Sequence, residues 1–372
     1  MCKSSVQPLK DSYEIRVFGE IDAEIAGQIL SHMLGTNIYV VDFEEVNSIN
    51  FAAMRVLLNG RRGEDKRFRI INASNDIVAR FEDSGLSSII SICRKPCRLD
   101  VDKYQEFGAS FMSRAYNSAD GDTMIKIYGD FASKHLICQE QAVARAVLAF
   151  GINTPMVGSL YTDGKSQALE FERIEGKRSF SKIISEEPER LEEITVRFAR
   201  MCRQLHGTPC DTNIFNDKSL IYRQAINNCK EITDNEKDKI LSFIDSVPSR
   251  TTCLHGDMQL SNVITNGRED MWIDLADFSY GNPMFDLGMT YFLCKLNSEE
   301  QLIKLFHFGR ETMDRVWDIF IREYFNVTTA EQIELATRSL EPFAALHMLY
   351  LGTTFFFMPF MMPYIRKVLL SD

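Results

Sequence analysis

Apolar positions over residues 11–99 switch between two periods. Stretches 13–18, 38–43, 68–71 and 88–92 are rich in aromatic and β-branched residues and read as strands. Stretches 23–34, 51–62 and 76–84 carry helical apolar spacing, with Asn50 and Asn75 standing where N-caps belong. Strand and helix alternating through short connections predict a small open sheet with helices packed on it. The charged segment 94–100, RKPCRLD, contains Pro96 and marks a boundary, so domains are expected at 1–99 and 100–372. From Tyr104 the pattern becomes strand, turn, strand, turn, strand, with Gly108 opening the first turn and Asp120-Gly121 the second. A helix is expected over 139–150, a strand over 168–174 and a helix over 191–205, and 227–246 keeps helical spacing. Two short strands at 263–264 and 271–273 flank an Asn266-Gly267 turn, and the tail after Asp286 is all helical. These elements predict a strand-rich part at about 100–174 and a helix-rich part at about 175–372.

Composition narrows the class. Hydrophobic residues make up 45% and charged residues 25%, an ordinary globular balance. The net charge of −10 divides into −1 over residues 1–100 and −9 over 101–372, which disfavours nucleic acid as the partner. The cluster Arg61, Arg62, Lys66, Arg67 and Arg69 is expected to be a solvated turn and edge strand. The nine cysteines are scattered with no C-x2-C pair, and the reading is reduced thiols in a cytoplasmic protein. No apolar signal-peptide core occupies residues 1–20. The uncharged run 348–365 reaches membrane-spanning length, but its two prolines and Gly352 favour a buried helix broken near Pro359 over a membrane contact.

The densest chemistry lies in 251–287, TTCLHGDMQLSNVITNGREDMWIDLADFSYGNPMFDL. His255-Gly256-Asp257 is followed by Asn262, then by Asp274 after a short apolar run, then by G-N-P-M-F-D-L ending around Asp286. A hairpin there would bring Asp257, Asn262 and Asp274 together, and convergent oxygen ligands of this kind suit phosphoryl transfer. One carboxylate takes the acceptor hydroxyl's proton, while an amide and a second carboxylate hold the magnesium that bridges the phosphates.

This segment resembles the catalytic segment of the aminoglycoside phosphotransferase and choline kinase group, within the protein-kinase-like superfamily. The resemblance implies that Asp257 is the catalytic base, that Asn262 and Asp274 are the magnesium ligands, and that Asp286 braces the loop. It also implies ATP (or GTP) and Mg2+ as cofactors. Lys126, inside the apolar strand MIKIY, is assigned to the nucleotide phosphates, against the alternative of a snorkelling lysine at a strand edge. Glu140, expected to open the next helix 11 residues before Gly151, is assigned as its ion-pair partner. Gly108, Ser110 and Ser113 in GASFMSRAY resemble a phosphate-contacting loop, although G-K-[ST] of a Walker A loop is missing. Phe171, Glu172 and Ile174 are candidates for an interlobe linker that meets the adenine. His206, ending L-H-G, is read as a helix-end histidine bonded to the backbone, and His255 as a support beneath the loop.

The run IYVVDFEEVNSINFAAMRVLL resembles the central motif of STAS domains, where a regulatory serine caps the following helix. Aligned on Val-Leu-Leu, that position is Phe51, which has no hydroxyl, so the resemblance implies a partner-binding or self-associating surface and not a phosphorylation switch. The fold class expected is α/β plus α+β: a small STAS-like β-α sandwich, then a two-lobed kinase-like phosphotransferase domain with a helical C-terminal subdomain. The activity implied is transfer of a γ-phosphate to a hydroxyl of a small molecule of the amino-sugar, amino-alcohol or sugar class. The competing reading is a nucleotide-sensing regulator that signals through the STAS-like domain. Gly where protein kinases carry Arg, and the short spacing from Asp274 to Asp286, favour a small acceptor over a protein substrate.

Overall fold

A computed structural model describes residues 4–8, 13–34, 38–63, 66–109, 113–118, 121–129, 134–212, 214–355 and 357–370. The chain divides into two compact units, Met1–Phe150 with Pro155–Arg173, and Gly151–Thr154 with Ile174–Asp372.

The first unit holds two sheets. One has the order β1-β2-β3-β4-β5, from β1 (Ser5–Pro8), β2 (Glu14–Ile21), β3 (Ile38–Ile49), β4 (Arg67–Ala73) and β5 (Ser91–Arg94). Strands β2 to β5 run parallel, and β1, which the sequence pattern does not announce, adds antiparallel to β2. Helices α1 (Ala23–Ser31), α2 (Phe51–Gly63) and α3 (Asn75–Asp83) bury Ile29, Leu57 and Phe81 with Ile15, Val41, Phe43 and Ile70 in one core. Asn50 caps α2 through Oδ1 to the Ala53 N–H at 2.8 Å, whereas Asn75 is already helical and Ser74 takes the cap position of α3. Alternation sends neighbouring residues to the opposite face, so Val40, Ile71 and Cys93 leave this core and join another. β4 is an interior strand, and Arg69 is buried instead of solvated as expected.

The second sheet has the order β6-β10-β11-β9-β8-β7: β6 (Cys97–Arg98), β7 (Tyr104–Ala109), β8 (Ser113–Ser118), β9 (Thr123–Tyr128), β10 (Val157–Thr162) and β11 (Gln167–Glu172). Helix α4 (Lys134–Ala149) packs against β10 and β11 and against β5 of the first sheet. It begins five residues before the expected start, so Glu140 lies inside the helix and not at its opening.

The second unit is mainly helical: α5 (Phe180–Glu186), α6 (Leu191–Gly207), α7 (Lys218–Asn228), α8 (Asp234–Ser246), α9 (Met284–Tyr291), α10 (Glu299–Phe306), α11 (Arg310–Phe325), α12 (Ala330–Ser339), α13 (Glu341–Thr354) and α14 (Met361–Ile365). Capping boxes open α8, α10 and α12. The apolar run 348–365 is split between α13 and α14, with Met348, Leu349 and Ile365 buried. Among the described residues no helix is long and apolar enough to cross a membrane. The eight described cysteines are all free thiols. Two three-stranded sheets position the loops: β12 (Arg178–Ser179), β15 (Val263–Thr265) and β16 (Asp270–Trp272) form one, and β13 (Asn216–Asp217), β17 (Ser279–Gly281) and β14 (Thr252–Leu254) the other.

Helices α9 and α13 cross closely because Gly288 has no side chain; a Cβ there would sit 2.4 Å from Phe343 Cβ and 2.8 Å from Ala344 N. Gly288→Ala must push the helices apart, at an expected cost of about 1–3 kcal/mol. Urea denaturation checks this, and a variant as stable as the wild type refutes the close crossing.

Candidate active site

The loop from β14 to β15 is built around a buried carboxylate. Asp286, in the first turn of α9 and 1% exposed, accepts the His255 N–H at 2.6 Å and the Gly256 N–H at 2.9 Å. His206 at the end of α6 adds Nε2 at 3.2 Å, while its Nδ1 meets Tyr324 Oη at 2.7 Å. These side-chain partners replace the backbone bond expected for His206. Burial alone would raise the Asp286 carboxyl, but the hydrogen bond and charge of His206, with the charges of His255 and Lys218, hold it below its usual value.

Gly256 has φ +83°, and a Cβ there would lie 2.1 Å from Asp277 O, so only glycine lets the loop pass. His255 packs on Trp272 with ring centroids 4.8 Å apart, and its Nε2 lies 3.0 Å from Ile273 O. Its Nδ1 accepts the Asp257 N–H at 3.3 Å. Both ring nitrogens are thus committed to the backbone, and burial lowers the imidazole's pKa. His255 supports the loop beneath Asp257 through these two backbone contacts.

Asp257 receives Asn262 Nδ2 at 2.7 Å and Gln259 Nε2 at 3.0 Å on its carboxylate. Asn262 is buried in the short 3-10 turn Leu260–Asn262, and its O accepts the Ile273 N–H at 3.0 Å. Pairing of Val263 with Trp272 continues that junction, so the hairpin brings Asn262 next to the strand that ends two residues before Asp274. Asp274 holds φ 58°, a left-handed backbone unusual for a residue other than glycine. Burial first, then the charges of Asp274 and Asp277, push the Asp257 carboxyl up to about 6. Among the described residues no three His, Cys, Asp or Glu side chains form a metal group of their own.

Asp277 escaped the sequence reading, although its D-x-x-D spacing from Asp274 was a usable signal. It accepts Tyr350 Oη–H at 3.2 Å. Lys218, also missed, is 1% exposed, and its Nζ lies 5.4 Å and 5.2 Å from the rings of Tyr222 and Tyr350. Nothing in the pattern of α7 distinguishes this lysine from a solvated one.

In the first unit Lys126 lies on β9, between β8 and β11, and its Nζ is 3.0 Å from Glu140 Oε1. It is an interior-strand lysine paired with a carboxylate that is 4% exposed. Gly108 falls inside β7 opposite Ala115, not at the turn, and Ser113 opens β8 opposite Tyr128. Ser110 lies outside the described residues. Phe171 and Glu172 belong to β11 itself, and the Glu172 N–H donates to Met156 O at 2.8 Å. The division between units falls at Arg173 and Ile174, and Ile174 packs with Ile264 and Met271.

Residues 107–318 match the phosphotransferase enzyme family. No curated protein matches the chain. Similar solved structures include an aminoglycoside-3'-phosphotransferase of type VIII, 21% identical over 65% of this chain and 94% of that one, with a TM-score of 0.44. A choline/ethanolamine kinase family protein from Mesorhizobium loti is 16% identical over 72% of this chain and 92% of that one, with a TM-score of 0.40. An aminoglycoside phosphotransferase from Streptomyces rimosus, in complex with ADP and streptomycin, is 15% identical over 64% and 92%, with a TM-score of 0.40.

His347 tests the buried network. Its Nδ1 lies 3.3 Å from Tyr222 Oη, and burial, then the Lys218 charge, lower its pKa to about 3. An unfolded histidine titrates near 6.5, so the unfolded state binds the proton first and stability falls as pH drops below about 6.5. His347 alone should cost about 2 kcal/mol between pH 6.5 and 5. Urea titrations at both pH values should show that loss in the wild type and a shallower one in His347→Gln; equal slopes refute a neutral buried histidine.

Proposed function

The chain belongs to the phosphotransferase enzyme family, and on that premise we propose that it is a small-molecule kinase dependent on ATP or GTP and on magnesium. The acceptor is a hydroxyl of an amino-sugar, amino-alcohol or sugar. The observation that carries the reading is Asp257, a buried carboxylate aligned by Asn262 and Gln259 on the loop that Asp286 grips.

Asp257 accepts the acceptor's proton as its oxygen attacks the γ-phosphorus, and the bond to the leaving diphosphate oxygen breaks in line. A base needs a pKa close to the working pH, and burial among carboxylates moves Asp257 in that direction. Asn262 and Asp274 are the residues that would hold magnesium. Asn262 spends Nδ2 on Asp257, which leaves Oδ1 as its ligand atom. Two protein oxygen ligands suit a hard cation whose shell phosphate oxygens and water complete. The crowding of negative charge that raises Asp257 is what a divalent cation would relieve. When bound, the cation supplies charge neutralisation at the transferring phosphoryl group. Lys126, kept in place by Glu140, holds nucleotide phosphates; Ser113, with Gly108 and Ser110, contributes to the same phosphate contact, and residues 171–174 border the adenine.

The N-terminal sheet is read as a STAS-like module for a protein partner or self-association. Four parallel strands with α1 to α3 on one face support the likeness, and Phe51, 68% exposed at the start of α2, supplies an apolar contact in place of a regulatory hydroxyl.

Coupled-enzyme assays with ATP or GTP, magnesium and an acceptor panel test the activity. Acceptor-dependent nucleoside diphosphate release is expected, and nucleotide binding without transfer to any acceptor class favours the sensor reading. Asp257→Ala should lose at least about a hundredfold in kcat while still binding nucleotide. Asp274→Ala should weaken magnesium-dependent nucleotide binding. Unchanged behaviour in either variant overturns the role given to that residue.

A further inference from the structure

Helix α4 carries Glu140, and its flanking residues are not buried by their own sheet alone. Ile137 and Cys138 share one apolar cluster with Tyr128, Leu160 and Leu169 of the second sheet and with Val40, Ile71 and Cys93 of the first. The Cys93 thiol points at the Cys138 carbonyl at 3.3 Å. On its other flank α4 is tied to its own sheet, where Gln141 Nε2 and Arg145 each donate to Gly158 O, at 2.7 Å and 2.9 Å. The helix is therefore held between two sheets.

The connector gives those sheets little room to shift. Lys95 N donates to Ala73 O at 3.0 Å on the first sheet, and Leu99 N donates to Thr162 O at 2.8 Å on the second. Between them, β6 already pairs with β10. A parallel sheet needs both faces covered. Here α1 to α3 cover one face and α4 meets the other.

We propose that the N-terminal sheet is an internal brace for the nucleotide-phosphate contact, with Val40, Ile71 and Cys93 as positioning residues that set α4 and so keep Glu140 on Lys126. This rests on the reading of Lys126 as a phosphate-binding residue. A side chain that reaches 3.0 Å from an ammonium loses its partner when its helix moves by about an ångström, because charge-assisted hydrogen bonds are short and directional. The first sheet thus bears on nucleotide affinity without touching nucleotide.

The test is a double-mutant cycle read by binding of AMP-PNP or its guanine counterpart, with magnesium and no acceptor, to the full-length protein. Glu140→Gln is expected to weaken binding about tenfold and Ile71→Ala about fivefold, and the double variant no further than Glu140→Gln alone. Ile71→Val, which keeps most of the packing, should restore wild-type affinity. It also serves as the folded comparison should Ile71→Ala fail to fold, when Val40→Ala takes its place in the cycle. Losses that multiply in the double variant, or unchanged affinity in Ile71→Ala, overturn the brace while leaving Lys126 its role. A wild-type protein that binds neither analogue overturns both readings together.

Discussion

One buried carboxylate sets the geometry of the second unit. An ionised group removed from water is tolerated only when donors replace the lost hydration. Asp286 obtains them from two successive backbone N–H groups and the His206 imidazole. The loop that surrenders those N–H groups gives up its own freedom, and Asp257 is the next residue along. Neighbouring features follow from the same requirement. Gly256 has no Cβ because the loop turns against Asp277, and His255, whose N–H is given to Asp286, sets its ring at a tilt against Trp272. Lys218 adds positive charge from within the fold, shielded by two aromatic faces, and it is among the groups that keep Asp286 ionised.

Two carboxylates meet at this loop, one on it and one from α9, and their protonation is driven in opposite directions. Asp286 is surrounded by donors and stays below its ordinary range, while burial first and then the neighbouring carboxylates raise Asp257 to about 6. Divergent shifts of this kind suit a structural anion and, in the function proposed, a proton acceptor. A buried carboxylate held among like charges is also a stability cost that folding must offset elsewhere. Aromatic packing of Phe198 on Trp272 of β16, and of Phe285 on Phe343 between α9 and α13, is among the apolar contacts available to offset it.

The legibility of these features tracks how local their causes are. The H-G-D run, the Asn262 spacing and the Asn266-Gly267 hairpin were readable because adjacent residues determine them. The three strands from Tyr104 to Tyr128 were readable for the same reason: alternation and turn residues suffice. The start of α4 was missed because Ile137, in its first turn, is held by packing with residues of another sheet, which local spacing does not announce. Strand β1 draws its place from pairing with β2 and has no pattern of its own. Gly108 looked like a turn residue but lies in a strand at a register irregularity, a placement decided by β8. Lys218 and Tyr350 meet across 132 positions of sequence, a separation no window of periodicity spans.

The edge strand β6 bears on why the N-terminal sheet is fused and not merely attached. A flexible linker would let a module sample many orientations, and its contacts would then be weak and transient. The connector instead spends its backbone hydrogen bonds on both sheets, the last of them through β6 and Leu99 on β10. Apolar residues that alternate onto the second face of β3, β4 and β5 have no helix from their own segment to cover them; α4 takes that place. Arg69 on the same face is buried, and its pKa falls to about 10 for want of water. Val40, Ile71 and Cys93 make this face unsuited to solvent exposure as a separate domain, and their packing must offset the cost of burying Arg69 beside them. Its chemistry is that of an interface within the fold.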